Sequence, residues 1–436
     1  MTARITPYIS TAALTAALSS AEGEYVTVNL TSSRVVPGQN MVARMTEVAR
    51  WSGADMVYSD HYDIAPGSPE LIRHPLIDCQ EGAVRDDFDF GDIVLIKTAF
   101  LKENLPLLDP ELKYSAWYDL RLRMGNKVRI NEFLYSGEPA PKASGERQFD
   151  YVNPRNREVQ IELEKTFTAW LRRTGAWLPP VTAELPEPSA EFPVTASVII
   201  PVFNRERTIG DALRSALAQK TDFPYNVIVV DNHSSDGTSA VIDSFRDPRL
   251  IKLVPETRDL GIGGCWNLAV SHHSCGKYCV QLDSDDMYSG EDTLSKIVAV
   301  FRSERCAMVV GSYLMTDFDL KPIPPGLIDH AEWTAENGHN NALRINGLGA
   351  PRAFRTDIVR SIGFPNVSYG EDYAMGLRIG REYRIARVWE PVYCCRRWGG
   401  NSDSNLSVEK AGANNLYKDR IRTWELQARR RGVSGK

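Results

Sequence analysis

The sequence predicts an α/β protein in which a mixed sheet is flanked by helices. Continuous runs of β-branched and apolar residues at 197–203 and 226–231 indicate strands that are buried on both faces. Helical segments at 207–220 and 238–245 follow these runs, so we expect the strands to be parallel. Ligands bind such sheets at the carboxyl ends of the strands, which makes the residues after each run candidates for a site.

Length and composition set the broad class of the protein. A chain of 436 residues is long enough for two or three domains. The formal net charge of -5 gives no reason to expect nucleic acid as a partner. We find neither an apolar run long enough to cross a bilayer nor a signal sequence, and the seven cysteines form no C-x-x-C pair. We therefore expect a cytoplasmic protein with reduced thiols.

Composition shifts divide the chain into four parts. We predict a smaller α/β domain at 1–150, a helix and Pro-rich linker at 151–193, a larger α/β domain at 194–405 and a C-terminal helix at 406–436. The helix in the second part is predicted from apolar residues at helical spacing, namely Val159, Leu163, Phe167 and Leu171.

The N-terminal domain contains blocks that resemble the second half of the larger domain, in the same order. Residues 23–58 match 276–310, residues 90–98 match 347–356, and residues 114–123 match 369–378. Chance similarity between two α/β segments is the alternative. In this alignment uncharged residues of the N-terminal domain replace acids of the larger one: Thr31 for Asp283, Ser33 for Asp285, Ala116 for Glu371 and Trp117 for Asp372. We predict that the N-terminal domain is a catalytically silent half-copy.

An acidic stretch ends the predicted strand Tyr278–Leu282. Asp283, Asp285 and Asp286 place three carboxylates within four residues, and their mutual repulsion must be offset. A hard cation such as Mg²⁺ or Mn²⁺, bound together with substrate phosphates, would offset it. The alternative is an acidic turn that precedes the helix starting near Glu291.

Five ordered blocks resemble glycosyltransferase family 2, the inverting nucleotide-sugar enzymes of the GT-A fold. The blocks are Val198–Arg205, Val229–Thr238, Asp259–Asn267, Leu282–Asp286 and Gly370–Asp372. The resemblance covers residues 195 to about 405. It implies a GT-A type, Rossmann-like mixed sheet flanked by helices, preceded by a smaller α/β domain that resembles its second half.

The resemblance also implies a donor site. Residues expected to bind the nucleotide-sugar are Pro201, Asn204, Asp231, Arg258, Asp283 and Asp285. Asp231 would accept the N3–H of a uracil-like base, although a loop aspartate before the helix at Thr238 could simply cap it. Asp285, with Asp283, would ligate Mn²⁺ or Mg²⁺.

The acidic pair Glu371 and Asp372 is the candidate for acid–base chemistry. A nucleoside diphosphate is a good leaving group once a metal neutralises its charge, so one general base for the acceptor hydroxyl suffices. We expect Asp372 to be this base, with Glu371 as its neighbour or substitute. The alternative is that both residues only favour the start of a helix.

These observations predict a metal-dependent inverting glycosyltransferase. It would move a sugar from a nucleotide-sugar, with UDP favoured, to a hydroxyl of a saccharide or lipid-linked acceptor in glycan or polysaccharide biosynthesis. One alternative is a sugar-phosphate nucleotidyltransferase, but the loop Phe203–Arg207 lacks the glycine that its phosphate loop would need. Another is a non-enzymatic module that binds nucleotide-sugars. A homo-oligomer is left open.

Two features lie near the end of the chain, a departure from the family pattern at Trp398 and a basic C-terminal segment. Trp398 stands where many members carry a metal-binding histidine, so a ligand from that side is in doubt. The tail 416–431 is predicted to be an amphipathic helix that ends in Arg429, Arg430 and Arg431. This cluster is interpreted as a solvated helix end, with contact to anionic lipid at the inner face of a membrane as the alternative.

Overall fold

The structure is a computed structural model that describes residues 2–65, 67–68, 70–138, 156–180, 183–186, 188, 191–401 and 406–432. Parts of the predicted linker 151–193 therefore lie outside the described residues. The chain forms two compact units. The N-terminal unit comprises Met1–Trp177, Leu343–Ile345 and Leu406–Gly432, and the C-terminal unit comprises Leu178–Ala342, Asn346–Asn405 and Val433–Lys436.

The N-terminal unit contains seven described strands and six described α-helices. Its strands are β1 Thr2–Arg4, β2 Tyr25–Asn29, β3 Val35–Pro37, β4 Met56–Ile64, β5 Leu71–His74, β6 Ile93–Lys97 and β7 Lys127–Gly137. Its helices are α1 Thr11–Leu18, α2 Met41–Ser52, α3 Thr98–Asn104, α4 Ala116–Arg123, α5 Arg157–Arg173 and, at the end of the chain, α13 Val408–Arg430, with a 3₁₀ turn at Leu105–Leu107.

The C-terminal unit contains nine described strands and seven described helices. Its strands are β8 Ala196–Val202, β9 Tyr225–Asp231, β10 Leu250–Leu253, β11 Tyr278–Gln281, β12 Met287–Tyr288, β13 Met308–Thr316, β14 Pro322–Ile328, β15 Arg352–Arg355 and β16 Ile385–Arg396. Its helices are α6 Ile209–Leu217, α7 Thr238–Ser244, α8 Ile262–Ser271, α9 Thr293–Glu304, α10 Gly338–Asn341, α11 Thr356–Ile362 and α12 Glu371–Gly380.

Each unit is built on one mixed sheet. The N-terminal sheet has the order β1-β2-β6-β4-β7-β3, with β5 paired to β4. The C-terminal sheet has the order β10-β9-β8-β11-β15-β13-β16-β12, with β14 paired to β13. The strands β10, β9, β8 and β11 are mutually parallel, whereas β15 is antiparallel to both of its neighbours. The predicted fold class, a mixed sheet flanked by helices and preceded by a second α/β region, is confirmed.

The N-terminal sheet reproduces the path β8-β11-β15-β13-β16-β12 of the C-terminal sheet. The pairs β1/β2 and β4/β7 are parallel, as are β8/β11 and β13/β16, and the remaining pairs along both paths are antiparallel. The register agrees as well, because Met56 lies opposite Ile96 and Met308 lies opposite Phe354. This common path and register support the half-copy that the sequence predicts.

The buried strands of the C-terminal unit follow from their sequence. Every residue of β9 is buried, and six of the seven residues of β8 are buried, as expected for β-branched runs covered on both faces. In the N-terminal unit, α2 buries Met41, Met45 and Ala49, which recur at helical spacing along one face.

Two elements are longer than the sequence predicts. The predicted strand ends at Tyr58, but β4 continues to Ile64 because its backbone pairs with β5 and β7, although its later side chains are polar. The C-terminal helix starts at Val408 instead of Leu416. The interpretation of its last arginines as a solvated cluster is wrong for Arg429, which is buried and pairs with Glu425 at 2.8 Å.

Candidate active site

The carboxyl ends of three parallel strands meet at one edge of the C-terminal sheet. Strand β8 lies between β9 and β11 in parallel register. Asp231 is the last residue of β9, Asn204 follows β8, and Asp283 follows β11. The topology therefore brings these three predicted site residues to the same edge of the sheet.

Hydrogen bonds tie the loops after β8 and β9 together. Asp231 is 2% exposed, and its Oδ1 accepts a bond from the Ser234 backbone N–H at 2.9 Å. Asn204 has a left-handed backbone, with φ of 50°, and its Oδ1 accepts a bond from the Ser235 N–H at 2.8 Å. The Asn204 N–H in turn donates to Ser234 Oγ at 3.0 Å. This network fixes the backbone around the Asp231 carboxylate.

The other two predicted nucleotide-side residues lie near these loops. Pro201 is half-buried in β8, opposite Val230 of β9. Arg258 is exposed in the loop that follows β10. The preceding residue, Thr257, holds this loop through a 2.9 Å contact between its carbonyl oxygen and His233 Nε2.

The three aspartates after β11 have different surroundings. Asp286 is buried, and its Oδ1 accepts a bond from the Arg396 N–H at 2.8 Å, so it stabilises the loop. Asp283 and Asp285 are only partly buried. The backbone N–H of Asp283 donates to Tyr393 Oη at 3.1 Å. Asp283 and Asp285 are therefore the carboxylates of this loop that solvent or a ligand can reach.

The acidic pair begins helix α12. Gly370, with φ of 81°, precedes the helix, and Glu371 and Asp372 form its first turn. Arg352, at the start of β15, pairs with Asp372, with Nη1 and Oδ2 2.8 Å apart. The backbone N–H of Arg352 donates to Gln281 Oε1 at 3.1 Å, and Gln281 Nε2 donates to Asp283 Oδ1 at 2.8 Å. One chain of contacts thus joins the two acidic sequences.

Charge and burial shift the protonation of this site. Burial, and next the charge of Asp372, raises the pKa of Glu371 from 4.5 to about 8, although Arg352 opposes the shift. Burial also raises the pKa of Asp283, with contributions from Asp285 and Asp372 and an opposing effect of Arg352. Concentrated, partly desolvated carboxylates of this kind favour a bound cation.

The loop after β16 borders the aspartates. Asn401 Nδ2 donates to Asp285 Oδ2 at 3.2 Å, and its Oδ1 accepts a bond from the Trp398 N–H at 2.7 Å. The Trp398 ring packs edge-on against Phe318 and lies under the guanidinium of Arg207, 5.3 Å from its centroid. From this loop, the side chain of Asn401 therefore contacts Asp285.

The glycines of the segment 261–264 serve close packing. The backbone N–H of Gly263 donates to the Val367 carbonyl at 3.0 Å, and that of Gly261 donates to Asn366 Oδ1 at 2.7 Å. A Cβ atom on Gly263 would collide with the Pro365 carbonyl oxygen. The start of α8 thus packs against the segment that leads to Glu371.

Sequence reasoning missed two residues of this site. Arg352 lies in a block that the sequence analysis used only to detect the repeat, and Asn401 follows Trp398 by three residues. Their roles depend on the pairing of β15 with β11 and on the fold of the last loop. One signal for Arg352 was available in the sequence. Arg352 is a basic residue at a position where the equivalent strand β6 carries an apolar one.

The equivalent places in the N-terminal unit lack acids. The Ser33 N–H donates to Thr31 Oγ1 at 3.0 Å, which closes a turn without any carboxylate. Ala116 and Trp117, at the start of α4, are both buried. A catalytically silent N-terminal unit stays a prediction.

Comparison with known proteins identifies the domain that carries this site. The model of the family "Glycosyl transferase family 2" matches residues 197–361. Those residues form a glycosyltransferase family 2 domain. The protein therefore contains a glycosyltransferase domain of family 2, and the reaction of this domain belongs to nucleotide-sugar glycosyl transfer.

Relatives of this glycosyltransferase differ in how much they share with it. It is 27% identical over 235 residues to UDP-Glc:alpha-D-GlcNAc-diphosphoundecaprenol beta-1,3-glucosyltransferase WfgD of Escherichia coli. This match covers 53% of this chain and 84% of WfgD. It is 35% identical over 175 residues to poly(ribitol-phosphate) beta-N-acetylglucosaminyltransferase TarS of Staphylococcus aureus. This match covers 39% of this chain but only 29% of TarS.

A crystal structure of S. aureus TarS residues 1-349 with UDP is also similar, with a TM-score of 0.41 and 23% identity. The match covers 53% of this chain and 65% of that chain. Among the residues that the structure describes, no helix of the glycosyltransferase combines the length and apolar character needed to span a membrane.

Proposed function

We propose that this glycosyltransferase is a metal-dependent inverting enzyme that transfers a sugar from a UDP-sugar to a hydroxyl group of a saccharide or lipid-linked acceptor. The observation that carries the proposal is the contact between two acidic sequences distant along the chain. Arg352 pairs with Asp372, and its backbone is linked through Gln281 to Asp283. A donor-binding acid and a candidate base therefore belong to one site.

The residues after β11 fit a hard divalent cation. Asp283 and Asp285 supply two carboxylates that are partly accessible, and their repulsion contributes to the raised pKa of Asp283. Mn²⁺ and Mg²⁺ use such carboxylates together with phosphate oxygens. When bound, the ion would neutralise charge on the nucleoside diphosphate as it departs. Asn401 orients Asp285 through the bond to its Oδ2.

The nucleotide would lie along the loops after β8 and β9. Asp231 is held at the end of a buried strand, where its carboxylate can accept the N3–H of uracil. Asn204 and Pro201 fix the neighbouring loop and strand, and Arg258 supplies a cation from the loop after β10. The name of WfgD specifies UDP-Glc as its donor, which supports UDP as the nucleotide.

The acceptor hydroxyl would lose its proton to Asp372. Arg352 holds this carboxylate in one orientation through their 2.8 Å ion pair. Glu371, with a pKa of about 8, holds its own proton at neutral pH in the absence of a cation. The neutral form of Glu371 limits the negative charge beside Asp372, the proposed base.

The names of two relatives indicate a class of acceptor for this enzyme. The name of WfgD specifies a diphosphoundecaprenol-linked sugar, and that of TarS specifies poly(ribitol-phosphate). Both are carbohydrate or polyol acceptors with hydroxyl groups. We propose a saccharide or lipid-linked saccharide as the acceptor of the present enzyme.

A nucleotide-sugar screen tests the proposal. Purified protein would be mixed with UDP-, GDP- and dTDP-sugars in Mn²⁺, Mg²⁺ or EDTA, with thermal stability and release of nucleoside diphosphate as readouts. We expect a UDP-sugar to raise the melting temperature and to be hydrolysed slowly, and both effects to require metal. Equal stabilisation and turnover in EDTA would contradict a metal-dependent enzyme.

A further inference from the structure

A cluster of histidine and aspartate side chains lies on strands β4 and β5 of the N-terminal unit, outside the family 2 domain. His61 and His74 face each other across the antiparallel pair, and Asp63 follows His61 by two residues on the same face of β4. His74 Nδ1 is 2.8 Å from one oxygen of Asp63, and His61 Nε2 is 3.5 Å from the other. One donor atom from each residue lies within 4.8 Å of the others.

The His61 ring is held rigidly and its hydrogen bonding is incomplete. Its side chain is 5% exposed and lies between the rings of His74 and Tyr135, with centroid distances of 4.4 and 5.0 Å. Among the described residues, His61 Nδ1 has no hydrogen-bond partner. The other ring nitrogen, Nε2, is the one that lies near Asp63, so Nε2 is the atom placed to ligate an ion.

The second nitrogen of His74 faces a further carboxylate. His74 Nε2 lies 3.3 Å from Asp89 Oδ2, and Asp89 is 54% exposed. A histidine that ligates a metal through one nitrogen commonly donates its other N–H to a carboxylate, which fixes the tautomer and strengthens the ligand. The exposed position of Asp89 also leaves this side of the cluster open to solvent.

We propose that His61, Asp63 and His74 bind a divalent transition-metal ion of the zinc class. Two imidazole nitrogens and one carboxylate oxygen suit Zn²⁺ or Co²⁺ better than Mg²⁺ or Ca²⁺, which prefer oxygen ligands. Ligands of a tetrahedral zinc ion lie roughly 3.3 Å from one another. The distances of 2.8 and 3.5 Å within the cluster lie on either side of this value.

The ion would cross-link the hairpin formed by β4 and β5. Strand β5 exposes Leu71 and Ile72, which are 51% and 48% accessible, so little apolar burial holds it in place. A bond from the metal to His74 would fix this strand to β4, of which Met56–His61 are buried. The proposed role is thus structural, and it is independent of the donor site at Asp283 and Asp285.

An ion-pair network without metal is the competing arrangement. Although burial opposes it, hydrogen bonds to Asp63 and Asp89 raise the pKa of His74 to about 10. In that arrangement the protonated imidazole itself neutralises the carboxylates. The ion-pair network predicts that the protein binds no zinc at this cluster. A measurement of zinc binding therefore distinguishes the ion-pair network from the metal site.

The test uses the full-length chain with Asp283→Asn and Asp285→Asn, so that the proposed donor-site metal does not contribute. After dialysis against EDTA, binding of Zn²⁺ and of Mg²⁺ would be measured by titration calorimetry, and thermal stability would be recorded with and without each metal. We expect one zinc ion per chain, an increase in melting temperature with Zn²⁺, and no binding of Mg²⁺. Absence of stoichiometric zinc binding would overturn the proposal.

Variants locate the ion. In the same background, His61→Gln and His74→Gln should each weaken zinc binding by at least about tenfold. His273→Gln removes an exposed histidine of the C-terminal unit and should leave the affinity unchanged. Unchanged zinc binding in both His61→Gln and His74→Gln would contradict the assignment.

A Co²⁺ titration needs no substitution in the cluster. The visible absorption bands of histidine-ligated Co²⁺ should appear at one equivalent in the Asp283→Asn/Asp285→Asn protein and vanish when Zn²⁺ is added. If a cluster variant fails to fold, this spectrum decides the question, because its absence would rule out histidine ligation.

Discussion

The N-terminal sheet and the second half of the C-terminal sheet have the same strand path but different chemistry at equivalent places. After β11 the C-terminal unit carries Asp283 and Asp285, whereas the turn after β2 carries Thr31 and Ser33. At the pair β4/β5 and its equivalent β13/β14, it is the N-terminal unit that carries the polar residues. His61 lies opposite His74 in the N-terminal unit, and the equivalent pair in the C-terminal unit is Tyr313 and Ile328.

The shared strand path does not require either set of polar residues. The shared path and register persist with acids after one strand and hydroxyl side chains after the other. The framework is specified by the buried apolar strands, and function depends on residues at their ends. Substitution of these acids and histidines should therefore disturb folding less than substitution of core residues. The difference between the two units can be tested with such variants.

The largest effect is expected from the donor-site aspartates. Asp285→Ala should lower sugar transfer by about 10³-fold or more, because it removes the carboxylate proposed to hold the cation against the diphosphate. The matched variant Ser33→Ala changes the equivalent position of the N-terminal unit and should leave the rate unchanged. Rates measured at saturating Mn²⁺ would check both. A large loss in Ser33→Ala would break the comparison.

The second effect concerns the acidic pair. Asp372→Asn should lower kcat by about 10²–10⁴-fold, since the acceptor hydroxyl loses its base, while UDP binding in Mn²⁺ is retained. Calorimetric affinity and steady-state rates separate these two outcomes. Asp222→Asn, an exposed change that precedes β9, serves as the control. Normal turnover of Asp372→Asn would show that another group accepts the proton.

A smaller effect should follow from the arginine that sequence reasoning missed. Arg352→Lys keeps the charge but not the geometry of the 2.8 Å pair with Asp372, so we expect a loss of about 10- to 100-fold in kcat. Arg352→Met should lose more and should shift the pH–rate profile, because a positive charge beside Asp283 and Glu371 disappears. Equal rates and an unchanged profile in both variants would exclude a positioning role.

The smallest effect is on stability as a function of pH. Because the pKa of Glu371 is raised from 4.5 to about 8, the folded metal-free protein binds this proton more tightly than the unfolded chain. Its stabilising contribution is complete below pH 4.5 and is lost as the pH rises towards 8. In EDTA, the decrease in melting temperature across this range should be smaller in Glu371→Gln than in the unchanged protein by roughly 10 °C. Parallel curves would contradict the assigned shift.

The sequence predicted the strands that bury continuous apolar runs, and it predicted residues at their ends. Strands β8 and β9 were recognisable because each contains a continuous run of apolar, β-branched residues, Val198–Ile200 and Val227–Val230. The extension of β4 through His61 was not, because polar side chains there hide a strand that is defined by backbone pairing on both sides. The local sequence pattern reveals a strand that buries apolar residues, but it does not reveal a strand that is defined by backbone pairing with its neighbours.

Contacts between distant residues were beyond sequence reasoning. The pairing of Arg352 with Asp372 requires the antiparallel insertion of β15 between β11 and β13. The meeting of His61 and His74 requires the register of a hairpin. The sequence Pro66-Gly67-Ser68-Pro69 indicates a turn, but a turn signal alone does not fix which residues of the two strands pair. For the same reason the assignment of the C-terminal helix α13 to the N-terminal unit could not be derived from its amphipathic pattern.

The proposed donor site is tested most directly by the binding of UDP to the full-length protein in Mn²⁺ and in EDTA, measured by calorimetry for the unchanged protein, Asp285→Ala and Ser33→Ala. We expect metal-dependent binding in the unchanged protein and in Ser33→Ala, and the loss of that dependence in Asp285→Ala. Metal-dependent UDP binding that survives in Asp285→Ala, or equal affinity in EDTA, would contradict the proposed donor site.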